Sequence, residues 1–206
     1  MVNTSQLIDE LQHQPDFPAA VEELQKRLEQ ERSRRQEYYA LLHEDGKAEF
    51  INGEIIYQSP VKRKHWKVSI RLSTLLHNYV ETNQLGEIGV EKVMVSLSRN
   101  DYEPDIVFFS NEKAGGFQPD QMHFPAPDFV VEIVSESTES RDRGVKFDDY
   151  AVHGVQEYWI IDPEERSIEQ YLLQGKTFEL YQKLTGAGLL KSTAIRDFTV
   201  EISSLF

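Results

Sequence analysis

The feature that most constrains this chain is the stretch from Asp128 to Asp162, whose pattern predicts a strand, a helix and a second strand in succession. Its first strand, Phe129 to Ser135, is apolar and largely β-branched, which is typical of a strand buried on both faces of a sheet. Glu132 interrupts that run, and a carboxylate there is costly to bury unless a cation offsets it. The following helix carries Lys146 and Tyr150 on one face. We therefore expect the chemistry of this protein in this βαβ unit.

Composition narrows the class of protein. The 206 residues are 39% hydrophobic, enough for one folded domain with a sizeable core. There is no cysteine, which excludes disulfides, a thiol nucleophile and a cysteine-ligated zinc. The first residues lack the basic stretch and apolar core of a secretory leader, and no apolar run approaches the roughly 20 residues that span a bilayer. The sequence thus predicts a cytoplasmic protein without a membrane segment.

The net charge of −13 argues against a nucleic-acid coat protein, yet one segment is strongly basic. It contains Lys62, Arg63, Lys64, Lys67 and Arg71, with His65 among them. This segment is either the solvated start of a helix or a patch that contacts phosphates. In the second interpretation, Lys62, Lys64 and His65 are the candidate substrate contacts.

The N-terminal part predicts helices over residues 1–14 and 19–42, with prolines between them. The second helix has a narrow apolar stripe of Val21, Leu24 and Leu28 on an otherwise charged surface. We interpret residues 1–37 as a helical extension and residues 38–206 as the main domain. The extension packs on the domain or on a second subunit, or it is a solvent-exposed arm.

The first part of the domain alternates strands with one helix. Asn52-Gly53 between β-branched flanks predicts a tight hairpin, and Glu54 follows the turn directly. A helix is predicted over residues 64–83, then a strand over GVEKVMVSL. A short buried strand opened by Asp105 comes next.

The remaining segments flank the βαβ unit. The loop from Asn111 to Pro127 is long enough to suggest a mobile flap. After Asp162 the segments SIEQYLL, TFELYQKL and Ile195 to Ile202 predict antiparallel strands that extend or edge the sheet.

Three acids and one lysine form the candidate constellation: Glu54, Asp105, Glu132 and Lys146. Mg²⁺ takes oxygen ligands and keeps several waters, so one or two protein carboxylates and a substrate phosphate complete its shell. A nearby lysine would stabilise developing negative charge. The alternative is that each acid caps a turn or pairs with a lysine, and this is weakest for Glu132 because of its position in mid-strand.

An ordered set of motifs resembles a known family. These motifs are an Asn-Gly hairpin bearing a Glu, EPDIVF, APDFVVEIVS, a D-x-x-x-K helix and GVQEYWIIDP. The set resembles the Uma-two family of endonucleases in the PD-(D/E)xK nuclease superfamily, and the resemblance covers about Tyr38 to Phe206. It implies an α/β, restriction-endonuclease-like fold, in which a mixed β-sheet core is flanked by helices.

The same resemblance implies roles for the constellation. Asp105 and Glu132 would bind Mg²⁺ or Mn²⁺, Glu54 would be an additional acid, and Lys146 the catalytic lysine. The superfamily motif places its lysine two residues after the second acid, where this chain has Val134. The resemblance therefore implies a lysine on the following helix, and we expect the Lys146 ammonium within a few ångströms of Asp105 and Glu132.

Three classes of function remain open. The first is a Mg²⁺-dependent DNA endonuclease, which the basic segment favours. The second is a non-catalytic nucleic-acid- or protein-binding member of the same fold, which Val134 and the charge of −13 favour. The third is a metal-dependent hydrolase of small phosphoesters. For the endonuclease we expect a homodimer, because two symmetric sites most simply cut both strands of a duplex.

Overall fold

The computed structural model describes residues 3–41 and 48–206. The helices are α1 (Thr4–Gln12), α2 (Phe17–Leu41), α3 (Arg63–Thr82), α4 (Asn111–Ala114), α5 (Glu139–Asp142) and α6 (Val145–Val152). The strands are β1 (Ala48–Ile51), β2 (Glu54–Tyr57), β3 (Gly86–Val90), β4 (Met94–Ser96), β5 (Asp101–Tyr102), β6 (Ile106–Ser110), β7 (His123–Phe124), β8 (Phe129–Ile133), β9 (Glu157–Asp162), β10 (Ser167–Gln174), β11 (Thr177–Thr185), β12 (Leu189–Lys191) and β13 (Thr199–Glu201).

The larger sheet carries the predicted βαβ unit at its centre. Its strand order is β11-β10-β9-β8-β6-β3. β8 and β9 run parallel, whereas the other neighbours pair antiparallel. β8 is buried at every residue, as its apolar run predicts for a strand with helices on both faces. The mixed α/β core expected from the sequence is therefore confirmed.

Two helices cover the opposite faces of this sheet. Leu72 and Leu76 of α3 belong to the apolar cluster on one face, together with Val131 of β8. Tyr150 of α6 belongs to the cluster on the other face, together with Val130. Because neighbouring residues of β8 point to opposite faces, each face of one strand anchors a different helix.

The crossover between β8 and β9 is split into two short helices rather than one. α5 ends at Asp142, and α6 begins at Val145 after Gly144. A Cβ on Gly144 would lie 2.7 Å from the carbonyl oxygen of Ser140, closer than a side chain tolerates. The break lets α5 and α6 change direction, so Asp142 and Lys146 approach the sheet from successive helices.

The smaller sheet has the order β2-β1-β5-β4-β7. Its β1–β2 hairpin confirms the predicted tight turn, since Asn52 and Gly53 both have positive φ, at 52° and 84°. One partner of β1 is β5, in which Asp101 lies opposite Phe50. Through this pairing, β1 lies beside the segment that precedes Asp105.

The prediction of one strand over GVEKVMVSL is wrong. The segment forms β3 and β4, which belong to different sheets. Glu91 and Lys92 reverse the chain between them with φ values of 53° and 30°. Neither residue is a glycine or asparagine, the residues that usually mark a turn with positive φ. The sequence therefore read as one continuous strand.

The segment from Asn111 to Pro127 packs on the domain instead of forming an open loop. It contains α4 and β7, and the Phe117 and Phe124 rings stack edgewise on one another. Phe117 also contacts Phe109 of β6, with ring centroids 5.0 Å apart. Lys113 pairs with Asp128 at 2.9 Å. Aromatic burial and this ion pair hold both ends of the segment, which the loop-like composition did not predict.

The predicted strand from Ile195 to Ile202 is shorter in the structure. Only Thr199–Glu201 is extended, and it pairs with β12. The preceding loop is organised by Glu157, a fully buried carboxylate of β9. Glu157 accepts hydrogen bonds from the Ser192 hydroxyl and from the Ala194 amide, both at 2.7 Å. Hydrogen bonds to Glu157, rather than pairing with a neighbouring strand, therefore hold this loop in place.

The predicted N-terminal helices correspond to α1 and α2, although residues 1–2 and 42 lie outside the described part of the chain. The end of α2 is fastened to the domain, because the Arg35 guanidinium donates to both carboxylate oxygens of Asp101 at 2.6 and 2.7 Å. Leu24 and Leu28, earlier in α2, are about half exposed. Among the described helices, none has the length and apolar character to cross a membrane.

Candidate active site

Glu132 lies near the end of β8, in the centre of the larger sheet. Only 4% of its surface is exposed. Its Oε1 accepts hydrogen bonds from the Lys146 ammonium at 3.0 Å and from the Tyr150 hydroxyl at 3.1 Å. Both donors come from α6. They reach the same oxygen because residues four apart lie on one face of a helix. The acid that interrupts the apolar strand is therefore paired across the βαβ unit.

Lys146 is the centre of a buried acidic cluster, which we define as Glu49, Asp142, Glu132 and Lys146. Its Nζ lies 2.8 Å from Glu49 Oε1, 3.0 Å from Glu132 Oε1 and 3.3 Å from Asp142 Oδ1. The lysine is 3% exposed. It thus does not lie on the helix surface, and it joins β1, β8 and α5.

Asp105 lies beside this cluster, at the start of β6. The register of β6 and β8 pairs Ile106 with Val131, so Asp105 stands across from Glu132. Its Oδ2 accepts a hydrogen bond from the Ile133 amide at 2.7 Å and lies 3.3 Å from His65 Nε2. The structure therefore brings Asp105 and Glu132 side by side, and Glu132 is also one of the three acids that contact Lys146.

Burial sets the protonation of the cluster. Loss of hydration raises the pKa of Glu132 well above its ordinary value, and Lys146 opposes that rise only in part. Burial likewise raises the pKa of Asp142. For Lys146, burial acts to lower the pKa, but the carboxylates of Glu132, Glu49 and Asp142 outweigh it and hold the pKa well above the usual value. The lysine stays charged, burial favours the protonated forms of Glu132 and Asp142, and three carboxyl groups surround this single cation.

This excess of carboxylates fits a divalent cation. Asp105 and Glu132 are hard oxygen donors on adjacent strands, the ligand type that Mg²⁺ prefers. Among the described residues, no three His, Cys, Asp or Glu side chains are arranged to hold a metal by themselves. Two carboxylates are nevertheless sufficient for Mg²⁺ when waters and substrate phosphate supply the rest. The pair therefore suits a metal that is shared with a substrate.

Glu54 is not brought to this cluster. It is exposed at the start of β2, where it pairs with Ile51 across the hairpin turn. Glu49, on the other strand of the hairpin, takes that place and is fully buried. Its carboxylate also accepts a hydrogen bond from the Glu103 amide at 3.0 Å. Sequence reasoning missed Glu49, although it stands between apolar Ala48 and Phe50 just as Glu132 stands between Val131 and Ile133.

Asp142 was also missed, because an acid at a helix start is usually a cap or a dipole partner. Its side chain instead points at Lys146 from α5. The signal was the i,i+4 spacing of Asp142 and Lys146, but this spacing is common on exposed helices as well. Sequence alone could not distinguish the two cases.

The candidate substrate contacts divide into two groups. His65 is buried in the first turn of α3, where it approaches Asp105. Lys62 and Lys64 face a cavity on the outside of the same turn. Of the three candidate contacts, His65 therefore lies beside Asp105, whereas Lys62 and Lys64 line the outer cavity.

Comparison with known proteins agrees with this architecture. A crystal structure described as a putative nuclease belonging to DUF820, from Anabaena variabilis, is similar with a TM-score of 0.71. The match covers 83% of this chain and 96% of that one at 20% identity, which establishes a common fold.

Two proteins from Synechocystis sp. (strain PCC 6803) are similar in sequence. The protein slr1290 is 30% identical over 128 residues, which are 61% of this chain and 65% of the relative. The chain thus spans just under two thirds of the length of slr1290. The protein sll1609 is 29% identical over 143 residues, which are 68% of this chain and 80% of the relative.

A family model matches residues 35–203, nearly the whole of the α/β domain. Its match includes the acids of β1 and β8, Asp105 and the lysine of α6, so the residues described above lie inside the family's own boundaries. This chain belongs to the Uma2 family, whose description is "Putative restriction endonuclease".

Proposed function

We propose that this protein is an endonuclease that hydrolyses DNA phosphodiester bonds with the help of Mg²⁺ or Mn²⁺. The observation that carries the proposal is the buried Lys146 ammonium, which lies 3.0 Å from Glu132. Glu132 in turn lies across from Asp105 on the neighbouring strand. Lysine and metal-ion clamps stabilise the charge that develops on a transferring phosphoryl group.

In this proposal Asp105 and Glu132 hold the metal ion. When bound, the metal would polarise a phosphoryl oxygen and lower the pKa of a bound water toward neutrality. The raised pKa of Lys146 means that the lysine does not accept a proton near neutral pH. Its role is therefore to stabilise developing negative charge on the phosphoryl group, rather than to act as a general base.

Glu49 and Asp142 act as positioning residues for Lys146. They contact its ammonium from β1 and from α5, while Glu132 contacts it from β8. Three acceptors fix the direction of an otherwise flexible side chain. Glu49 thus takes the role of the additional acid that the sequence suggested for Glu54.

The test is incubation of plasmid and of random-sequence oligonucleotides with the protein and Mg²⁺ or Mn²⁺. Glu132→Gln keeps the shape of the side chain but removes its charge, so cleavage should be lost. Glu54→Gln is the matched control on an exposed acid and should cleave as the wild type does. Equal cleavage by the Glu132→Gln protein would contradict the proposed site.

Metal binding is tested separately by calorimetric titration with Mn²⁺. The wild type should release heat that the Asp105→Asn/Glu132→Gln double variant does not. Equal heats from the two proteins would exclude Asp105 and Glu132 as ligands.

One observation favours a non-catalytic binding protein as the second candidate. Lys146 already neutralises part of the charge on Glu49, Glu132 and Asp142, so the cluster has an internal cation of its own. A protein that binds DNA but neither binds Mn²⁺ nor cleaves would support this candidate. In that case the cluster would serve stability alone.

The assembly expected from the sequence stays a proposal. The exposed Leu24 and Leu28 of α2 offer an apolar strip to a second copy, and residues 1–37 would then serve as a dimerisation extension. Sedimentation at micromolar concentration should give a dimer for the whole chain and a monomer for Leu24→Glu/Leu28→Glu. The cytoplasmic location likewise remains a prediction from the sequence.

A further inference from the structure

A cavity of about 560 Å³ lies on the outer side of the α3 N-terminus. The start of α3 forms one wall, and the turn between β9 and β10 forms the other with Pro163 and Arg166. Phe206 and Val68 add an apolar surface. The volume falls within the range of small-ligand pockets, about 300–1,000 Å³.

Cations dominate the lining of this cavity, which we call the basic cavity. The positively charged residues are Lys62, Arg63, Lys64, Lys67 and Arg166. Within the described residues, the carboxylate that pairs with one of them is Glu164, on Lys64. On a chain with a net charge of −13, such a concentration of positive charge from two separate segments indicates an anionic ligand.

The local backbone adds to this preference. Lys62 is the N-cap of α3, and its side chain caps none of the first amides. Those amides and the helix dipole place partial positive charge at the same end as the lysines. The cavity cations and the N-terminus of α3 therefore both favour binding of an anion.

The apolar side of the basic cavity is held in place. Arg71 donates to the carbonyl oxygens of Leu205 and Phe206 at 3.2 and 2.7 Å. The Arg166 guanidinium lies 5.8 Å from the centre of the Phe206 ring. An aromatic ring beside several cations suits a ligand that combines a phosphate with a base or sugar.

The basic cavity and the candidate active site share one helix turn. His65 extends from the first turn of α3 toward Asp105, while Lys64 and Lys67 line the cavity. An α-helix with its side chains is about 10–12 Å across, and successive nucleotides of a strand are about 3.4 Å apart. A strand that starts in the cavity and passes around the helix would therefore need only a few nucleotides to reach the acids.

We propose that the basic cavity binds a terminal phosphate monoester at the end of a nucleic-acid strand. The nucleic-acid part of this inference rests on the proposed endonuclease function. A diester carries one negative charge, whereas a monoester carries about −1.5 to −2 at pH 7, which five cations and one acid match better. The bound end sets the distance at which the strand reaches Asp105 and Glu132.

The experiment measures binding without catalysis. Trp66 is 46% exposed in the first turn of α3, and the other tryptophan, Trp159, is fully buried, so quenching of exposed tryptophan fluorescence reports on this end of the helix. The full chain in EDTA is titrated with short single strands bearing a 5′-phosphate, a 3′-phosphate or only hydroxyl ends. AMP and inorganic phosphate are titrated in parallel.

One phosphorylated strand should bind at least roughly tenfold more tightly than the hydroxyl strand, as expected for charge-assisted hydrogen bonds. Lys67→Gln and Arg166→Gln, one from each wall, should each abolish most of that preference. Lys176→Gln changes an exposed cation in the β10–β11 turn and should leave it intact.

Three outcomes would overturn the inference. The first is equal binding of phosphorylated and hydroxyl strands. The second is a loss of the preference in Lys176→Gln that is as large as the loss in Lys67→Gln and Arg166→Gln. The third is AMP or inorganic phosphate binding as tightly as the phosphorylated strand, which would assign the cavity to free phosphates. Because EDTA removes divalent metal, a protein that fails to cleave DNA can still pass this test, and the two proposals fail separately.

Discussion

The two charged regions beside α3 and β8 use lysine in opposite ways. In the buried acidic cluster, Lys146 is enclosed by three carboxylates and is 3% exposed. In the basic cavity, Lys67 lies with four other cations, and within the described residues one carboxylate, Glu164, is paired with them. The first lysine is occupied by the protein's own acids, whereas the second is available to a ligand.

The difference shows what burial does to a charge. A buried ion must be compensated inside the fold, so its contribution is to stability and to the electrostatics of a fixed site. A surface cation contributes little to stability and retains its capacity for an external anion. The same substitution in the two regions should therefore change different properties.

The largest effect should come from Lys146→Met. Removal of the ammonium leaves Glu49, Glu132 and Asp142 buried without a cation, which costs about 3–5 kcal/mol in the free energy of unfolding. Urea denaturation in EDTA measures the loss. Lys67→Met is the matched control and should change stability by less than about 0.5 kcal/mol.

Mn²⁺ should then raise the unfolding midpoint of Lys146→Met more than that of the wild type. A divalent ion would supply the missing positive charge among the same acids. If Lys146→Met and Lys67→Met lose equal stability, the comparison of the two regions is wrong.

The next effect is that of salt on ligand binding. Affinity of the basic cavity for a phosphorylated strand should fall about tenfold between about 50 and about 200 mM KCl if roughly two phosphates are contacted. The stability difference between wild type and Lys146→Met should change little over that range, because buried pairs are weakly screened. Fluorescence titration and urea denaturation in the same buffers test both statements.

A smaller effect concerns pH and Glu132. Its pKa is raised in the folded state, so the folded protein binds more protons than the unfolded chain above the ordinary pKa of 4.5. This group therefore lowers the stability of the wild type as pH rises from 4.5 toward the folded pKa, by at most about 1.4 kcal/mol per pH unit.

Glu132→Gln lacks this titration. Its free energy of unfolding relative to wild type should increase from about pH 5 to about pH 8. Urea midpoints at the two pH values measure the change. If the free energy of unfolding of Glu132→Gln relative to wild type instead decreases with pH, the ionised carboxylate is more stable in the folded protein than in the unfolded chain, and the direction of the pKa shift is wrong.

The smallest effect should come from Glu169, which is only 7% exposed but whose partners Arg143 and Lys183 are partly exposed. Burial acts against ionisation, but hydrogen bonds from Arg143, Lys183 and Tyr171 lower the pKa of Glu169 to about 2. Its stabilisation is complete above about pH 4.5 and is lost as pH falls through about 2.

Glu169→Gln should cost less than about 1 kcal/mol at pH 7, because solvent screens the exposed cations, and almost nothing at about pH 2. Thermal unfolding at both pH values provides the measurement. A cost that grows on acidification would contradict the sign of this shift.

The sequence by itself determined the βαβ unit, the acid within it and the family. A buried parallel strand has to be apolar on both faces, so Glu132 was conspicuous in its own segment. The hairpin was equally evident, since positive φ at Asn52 and Gly53 is a local requirement. These signals depend on residues within a few positions of one another.

The tertiary structure decided which acids meet Lys146. Glu49 and Glu54 both lie in the first hairpin, but only the register of β1 with its neighbours places Glu49 inward. The separation of β3 from β4 was likewise invisible, because no glycine marks the turn at Glu91 and Lys92. Strand register and sheet membership arise from contacts between residues far apart in the chain, and a pattern read along the sequence contains no measure of those distances.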